Sequence, residues 1–175
     1  MTPETKFHEL ETRAMVHLRR SPELDEASVI VLIWRYPAFE PYQSWSLVKD
    51  NEERWLIRRT TWDHPTDYQR ASDPLKQAAF MIDRDPAPTI EIVDVRTSTR
   101  FAEQIVERVS GLPVPSPLAS DWVGADGAMN GIETQRGEVH VEWWCEGPPD
   151  WRVFTEEVER LRLELDAVVG GASST

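Results

Sequence analysis

The 175 residues fall within the usual size of one compact domain, and a chain this long buries roughly 70% of the surface that its unfolded form exposes; with 40% hydrophobic side chains and eight Trp, disorder of the whole chain is excluded. The single cysteine, Cys145, excludes an intramolecular disulfide framework, and a net charge of -12 argues against nucleic acid and anionic membranes as partners. Charges run throughout the first twenty residues and the longest apolar run is only Val29 to Trp34, so the expected location is a reducing cytoplasm, with neither secretion nor membrane spanning.

In chain order, the opening segment carries two periodicities. Phe7, Leu10, Ala14 and Leu18 keep helical spacing after a Thr2-Pro3 start, while Ala14, Val16 and Leu18 alternate as in a strand; a strand over about Thr12 to Arg20 is the expectation. The run from Ser28 to Tyr36 is apolar and β-branched, which suits the central strand of a sheet covered on both faces. Two prolines between Tyr36 and Tyr42 predict a wide connection. Ser44 to Lys49 and Arg54 to Trp62 flank the polar cluster Asp50-Asn51-Glu52-Glu53 and read as a hairpin.

Residues 63–90 mix prolines and aspartates around one helical fragment, Leu75 to Met81, and read as a seam between two halves of one domain spanning 1–175. A short strand follows at Ile90 to Val95. The next segment places Phe101, Ile105, Val109 and Leu112 on one helical face between a Ser or Thr cap and Gly111. Gly131 to Gln135 and Glu138 to Glu146 form a second hairpin around Arg136-Gly137. Pro148-Pro149-Asp150 then introduces a long helix with Trp151, Phe154, Val158, Leu161, Leu165 and Val168 in one stripe, and 170–175 is a loose tail. The fold expected is α+β: a mostly antiparallel sheet of five to seven strands, two main helices packed on one face, and function on the other.

Charge is unevenly placed. Residues 1–62 hold 9 basic and 10 acidic side chains, while the remaining 113 hold 10 and 21. Within that acidic portion the strand EVHVEWWCE has period two. Val139, Val141, Trp143 and Cys145 point to the core, with Cys145 a small buried residue, and Glu138, His140, Glu142, Trp144 and Glu146 share the other face. Glu133 stands beside His140 if the hairpin closes through a two-residue turn; a three-residue loop with a bulge at Gly137 shifts the register. A solvated strand face and a partner-facing acidic strip both fit this row. Same-face neighbours roughly 6.5 to 7 Å apart cannot share one metal ion without help from another element. The Asp63-His64-Pro65 sequence reads as an acid/base pair or as a turn ending a strand. Arg54, Arg58 and Trp62 share one strand face with Arg35 and Arg59 near in sequence, and pairing with the acidic half is their expected fate.

The Asp126-Gly127 turn, the hairpin ending in WWCEGPPDW and the amphipathic C-terminal helix resemble a group of bacterial proteins of unassigned activity with a WWxxGPPxW-type C-terminal motif, and WRYPAFEPYQSW extends the likeness to about half the chain. Small acidic α+β proteins of this type are similar to the immunity proteins of polymorphic toxin systems, each of which blocks one cognate toxin. The resemblance implies a binding protein and carries no residue roles with it. The expectation is an acidic module that neutralises a basic partner protein, such as a nuclease toxin, through Glu133, Glu138, His140, Glu142, Trp144 and Glu146, without cofactor, metal, nucleic acid or membrane. The alternatives are a small hydrolase or metal-dependent enzyme using His140 or His64 with carboxylates, and a subunit of a larger assembly.

Overall fold

The β-branched run at 29–34 lies inside the sheet, as its composition predicts. In a computed structural model that describes residues 2–20, 24, 29–113, 126–134 and 139–172, β1 (Val29–Pro37) pairs with β2 (Tyr42–Lys49) on one side and β5 (Ala128–Thr134) on the other. β3 (Trp55–Trp62) and β4 (Ile90–Arg96) continue outward from β2, and β6 (His140–Trp144) forms the opposite edge against β5. The order is β4-β3-β2-β1-β5-β6 and every pairing is antiparallel.

One face of the sheet carries the two expected helices, α4 (Thr99–Ser110) and α5 (Arg152–Ala172). Ala102, Ile105 and Val109 of α4 and Phe154, Val158, Leu161, Leu165 and Val169 of α5 meet Val31, Ile33, Trp45, Leu47, Ile57, Ile132 and Trp143 in one apolar cluster. Each large side chain buried there contributes about 1.5–3 kcal/mol, so α5 is integral to the domain. The stripes are those read from the sequence, rotated by one residue: Ala102 replaces Phe101, and Val169 replaces Val168, at the most buried positions.

The second face is also covered. Leu32, Trp34, Tyr36 and Trp62 pack beneath α1 (Pro3–Arg20), α2 (His64–Ser72) and α3 (Pro74–Ile82). The strand expected over Thr12 to Arg20 is therefore helix. Its buried positions, Lys6, Leu10, Ala14 and Leu18, recur every four residues, and Val16, which suggested alternation, is exposed. The expected seam holds two helices rather than one fragment. Asp63 and Asp73 are N-caps, accepting hydrogen bonds from Thr66 N (3.1 Å) and Leu75 N (2.8 Å), and each is followed by a proline in the first turn. Lys6, almost fully buried, donates to the carbonyls of Met81 and Asp83 and so satisfies the C-terminal end of α3. The β1–β2 pairing ends at Arg35 and Gln43, so the connection over 36–42 is wide, as expected, with Pro37 and Pro41 inside it. Among the described residues, no helix is long and apolar enough to cross a membrane.

Candidate functional site

α1, α2 and α3 cover the strands from β1 to β3, so among the described residues most of the sheet face expected to carry function is covered, and the expected site strand β6 lies with β5 beside that cover. The register there fixes three rows: Leu32, Glu133 and His140; Trp34, Gly131 and Glu142; Tyr36, Met129 and Trp144. Glu133 and His140 are thus cross-strand neighbours, as a two-residue turn requires, and His140 Nδ1 lies 3.1 Å from Glu133 Oε2. Trp143, one residue out of phase, is buried against Phe154 on the α5 side. His140, Glu142 and Trp144 therefore share the face away from the last helix.

Two of the expected site residues, Glu146 and Glu138, and the expected burial of Cys145 need correction or fall elsewhere. β6 ends at Trp144, and Cys145 turns the chain with φ +51, so Glu146 leaves the row and sits in the turn before α5, where its carbonyl accepts from Thr155 Oγ1 (3.2 Å). Cys145 itself is exposed rather than buried, because that turn lifts it off the strand face. Glu138 and the Arg136-Gly137 turn lie outside the described residues.

The strip has a partner that the sequence does not announce. Arg19, at the end of α1, lies with its guanidinium carbon 3.9 Å from the centre of the Trp34 ring, donates to Tyr36 Oη (2.9 Å) and reaches Glu142 Oε1 (2.6 Å). Burial pushes the Tyr36 hydroxyl well above its ordinary range, against the opposing pull of the Arg19 charge. One of the carboxylates is consequently neutralised within the molecule. Among the described residues, half-exposed Glu133 pairs only with His140. The sole sequence signal for Arg19 is its place in the last turn of a helical pattern, which explains a cation but not its reach across to β6.

His140 is flanked by Glu133 at one ring nitrogen and Glu142, 4.0 Å away, at the other. The two carboxylates stand on opposite sides of the imidazole, so the three groups do not converge on one point, and among the described residues no group of three or more such side chains does. His64 is likewise not set up as an acid/base dyad with Asp63, whose carboxylate caps α2. Its ring stacks on Tyr42 (4.5 Å, 4°) and meets Trp62 edge-on (4.9 Å), with Nδ1 buried and without a hydrogen-bond partner among the described residues. Burial pushes its pKa down, outweighing the carboxylates of Glu11, Asp67 and Asp63.

Of the arginines expected to pair with the acidic half, Arg58 and Arg59 do so, Arg54 pairs instead with its neighbour Asp50, and Arg35 makes no ion pair with a described residue. Arg58 makes two 2.7 Å bonds to Asp94, Arg59 lies 3.2 Å from Asp166, and Arg54 is held by Asp50 at 2.9 Å. No family model matches the sequence, and neither the curated proteins nor the solved structures contain a match to it.

Proposed function

We propose that this chain is a protein-binding module of the immunity type, which neutralises a basic partner such as a nuclease toxin by docking the β5–β6 hairpin against it. The observation that carries the reading is the set of Glu133, His140, Glu142 and Trp144 on one face of the β5–β6 hairpin, beside the α1–α3 cover and at an edge strand, in a chain of net charge -12. Carboxylates around a half-exposed indole supply encounter rate through charge and affinity through the aromatic contact. Arg19 tunes this surface by withholding the Glu142 charge.

The test uses a basic toxin-domain protein encoded beside this chain, co-expressed with it. The wild-type chain is expected to restore growth and to bind the toxin in a salt-dependent manner. Glu133→Lys should slow association by about tenfold at low ionic strength, whereas Arg19→Gln, which frees Glu142, should speed it. Equal rates and equal salt dependence in all three proteins, each with an intact thermal transition, would place the partner surface elsewhere.

A further inference from the structure

The opposite face of the sheet holds a cleft of about 1250 Å³ between the first half of α5, the β1–β2 connection and the turn after β6. Strand register explains why it exists. On this face Arg59, Trp45, Ile33, Ile132 and Val141 form one row across the sheet, and the next row is Thr61, Gln43, Arg35, Asn130 and Trp143. The first lies in the apolar core; the second is polar except at its β6 end, and Arg35 and Asn130 form part of the cleft floor.

Arg35 distinguishes this cleft from a surface groove. Among the described residues, Arg35, Arg84, Arg96 and Arg100 are the lysines and arginines that make neither hydrogen bond nor ion pair; the last three are exposed, and Arg35 alone is half-buried. Withdrawing a guanidinium from water without a partner is unfavourable, so such a group is a ready site for an anion. The other arginines along the cleft are engaged. Arg152 binds Glu156 (2.7 Å), Arg160 binds Glu157 (3.1 Å) and Arg162 binds Glu159 (2.7 Å), so the α5 wall neutralises itself. Apolar surface is supplied by Phe39, 75% exposed on the β1–β2 connection, and by Pro148 and Pro149.

We propose that this cleft binds a small organic monocarboxylate, with Arg35 as the anion-binding residue and the apolar body of the ligand against Phe39 and the Pro148-Pro149 turn. A planar carboxylate matches the guanidinium fork through two parallel hydrogen bonds. One uncommitted cation balances one negative charge. Glu40 and Glu146, which also line the cleft and carry no ion pair with a described residue, repel anything more highly charged. Removal of Glu40, which lines the same cleft as Arg35, should favour the ligand.

The experiment titrates the full chain with benzoate, phenylacetate and hexanoate, reading the Trp indole and Arg Nε resonances by NMR, with benzamide as the uncharged control. At least one of the carboxylates should shift the Trp143 and Arg35 signals saturably. Arg35→Gln should weaken that ligand at least about tenfold, Arg35→Lys less, and Glu40→Gln should tighten it, while benzamide binds wild type and Arg35→Gln alike. Because Arg35 makes no hydrogen bond or ion pair with a described residue, both Arg35 variants should melt close to the wild type. Absence of a saturable shift with all three carboxylates, or equal affinity in Arg35→Gln, overturns the proposal. The cleft and the β5–β6 strip lie on opposite faces, so failure here leaves the protein-binding reading untouched.

Discussion

The two faces of the sheet are sealed by different chemistry. Beneath α4 and α5 the strands present Val31, Ile33, Leu47, Ile57 and Ile132 around Trp45, whose Nε1 finds Asp166 at 3.0 Å. Beneath α1, α2 and α3 the same strands present Trp34, Tyr36, Ser44, Ser46, Arg58, Thr60 and Trp62, all buried. Shape-tolerant apolar packing holds the first face, and the second also depends on buried polar pairs such as Trp62 with Asp67 and Arg58 with Asp94. The lesson is that one sheet can carry a forgiving core and an exacting one back to back, and substitutions should separate them.

The largest separation is expected at Asp67. Its fully buried carboxylate accepts from Trp62 Nε1 (2.8 Å), Thr89 N (2.7 Å), Thr89 Oγ1 (2.8 Å) and Arg70 Nη1 (2.8 Å), joining α2, β3 and the segment before β4. Asp67→Ala leaves those donors unpaired and should cost about 3–5 kcal/mol in urea denaturation. Asp67→Leu, which restores volume without acceptors, should recover little. Leu161→Ala on the other face should cost about 2–5 kcal/mol, and there Leu161→Met should recover most of it. Equal recovery at both positions would erase the distinction between the faces.

A smaller effect belongs at Gly131, where β5 passes beneath Trp34. A methyl group there would lie 2.1 Å from Trp34 Cζ2, and the indole cannot retreat freely because Arg19 stacks on it. Gly131→Ala should destabilise by about 1–3 kcal/mol. In a Trp34→Phe background the same change should cost less than it does alone, since the shorter ring vacates the space. Additive costs would mean that the glycine answers to something other than the indole.

The same contrast explains what the sequence discloses. Apolar periodicity reports burial under α4 and α5, so Ile105, Val109, Phe154, Leu161 and Leu165 are legible, as is the β1 run. It is silent where burial is polar: Lys6 and Asp67 read as surface residues until Met81 and Asp83, or Trp62 and Thr89, are in place around them. Helix α3 is legible as the fragment Leu75 to Met81, whereas α2 is hidden by its own start signal, because Asp-His-Pro serves equally as a turn and as an N-cap followed by a first-turn proline. The β5–β6 strip was legible as far as strand alternation holds, through Glu133, His140, Glu142 and Trp144. It failed at Glu146, where a positive φ at Cys145 ends the strand, and at Arg19, whose contact with Glu142 spans most of the chain.

His64 offers the finest test of the exacting face, because its contribution is a slope against pH. The ring is packed among Tyr42, Trp62, Phe7 and Tyr68, and burial depresses its pKa despite Glu11, Asp67 and Asp63 nearby. A depressed pKa means that the unfolded chain binds the proton more readily than the folded one, so stability rises with pH. The contribution is fully present above the unfolded value near 6.5 and is lost as pH falls through the lower folded value. A positive charge in the first turn of α2 would in addition oppose the helix dipole. His64→Phe keeps the stacked ring and removes the titration, so its denaturation midpoint should fall less steeply below pH 6.5 than that of the wild type. The difference should be the smallest of the three, since the imidazole is half-exposed and water screens it. If the two proteins kept parallel midpoints from neutral pH down to pH 5, proton uptake at His64 would not be coupled to folding, and its ring would serve as an aromatic spacer between Tyr42 and Trp62.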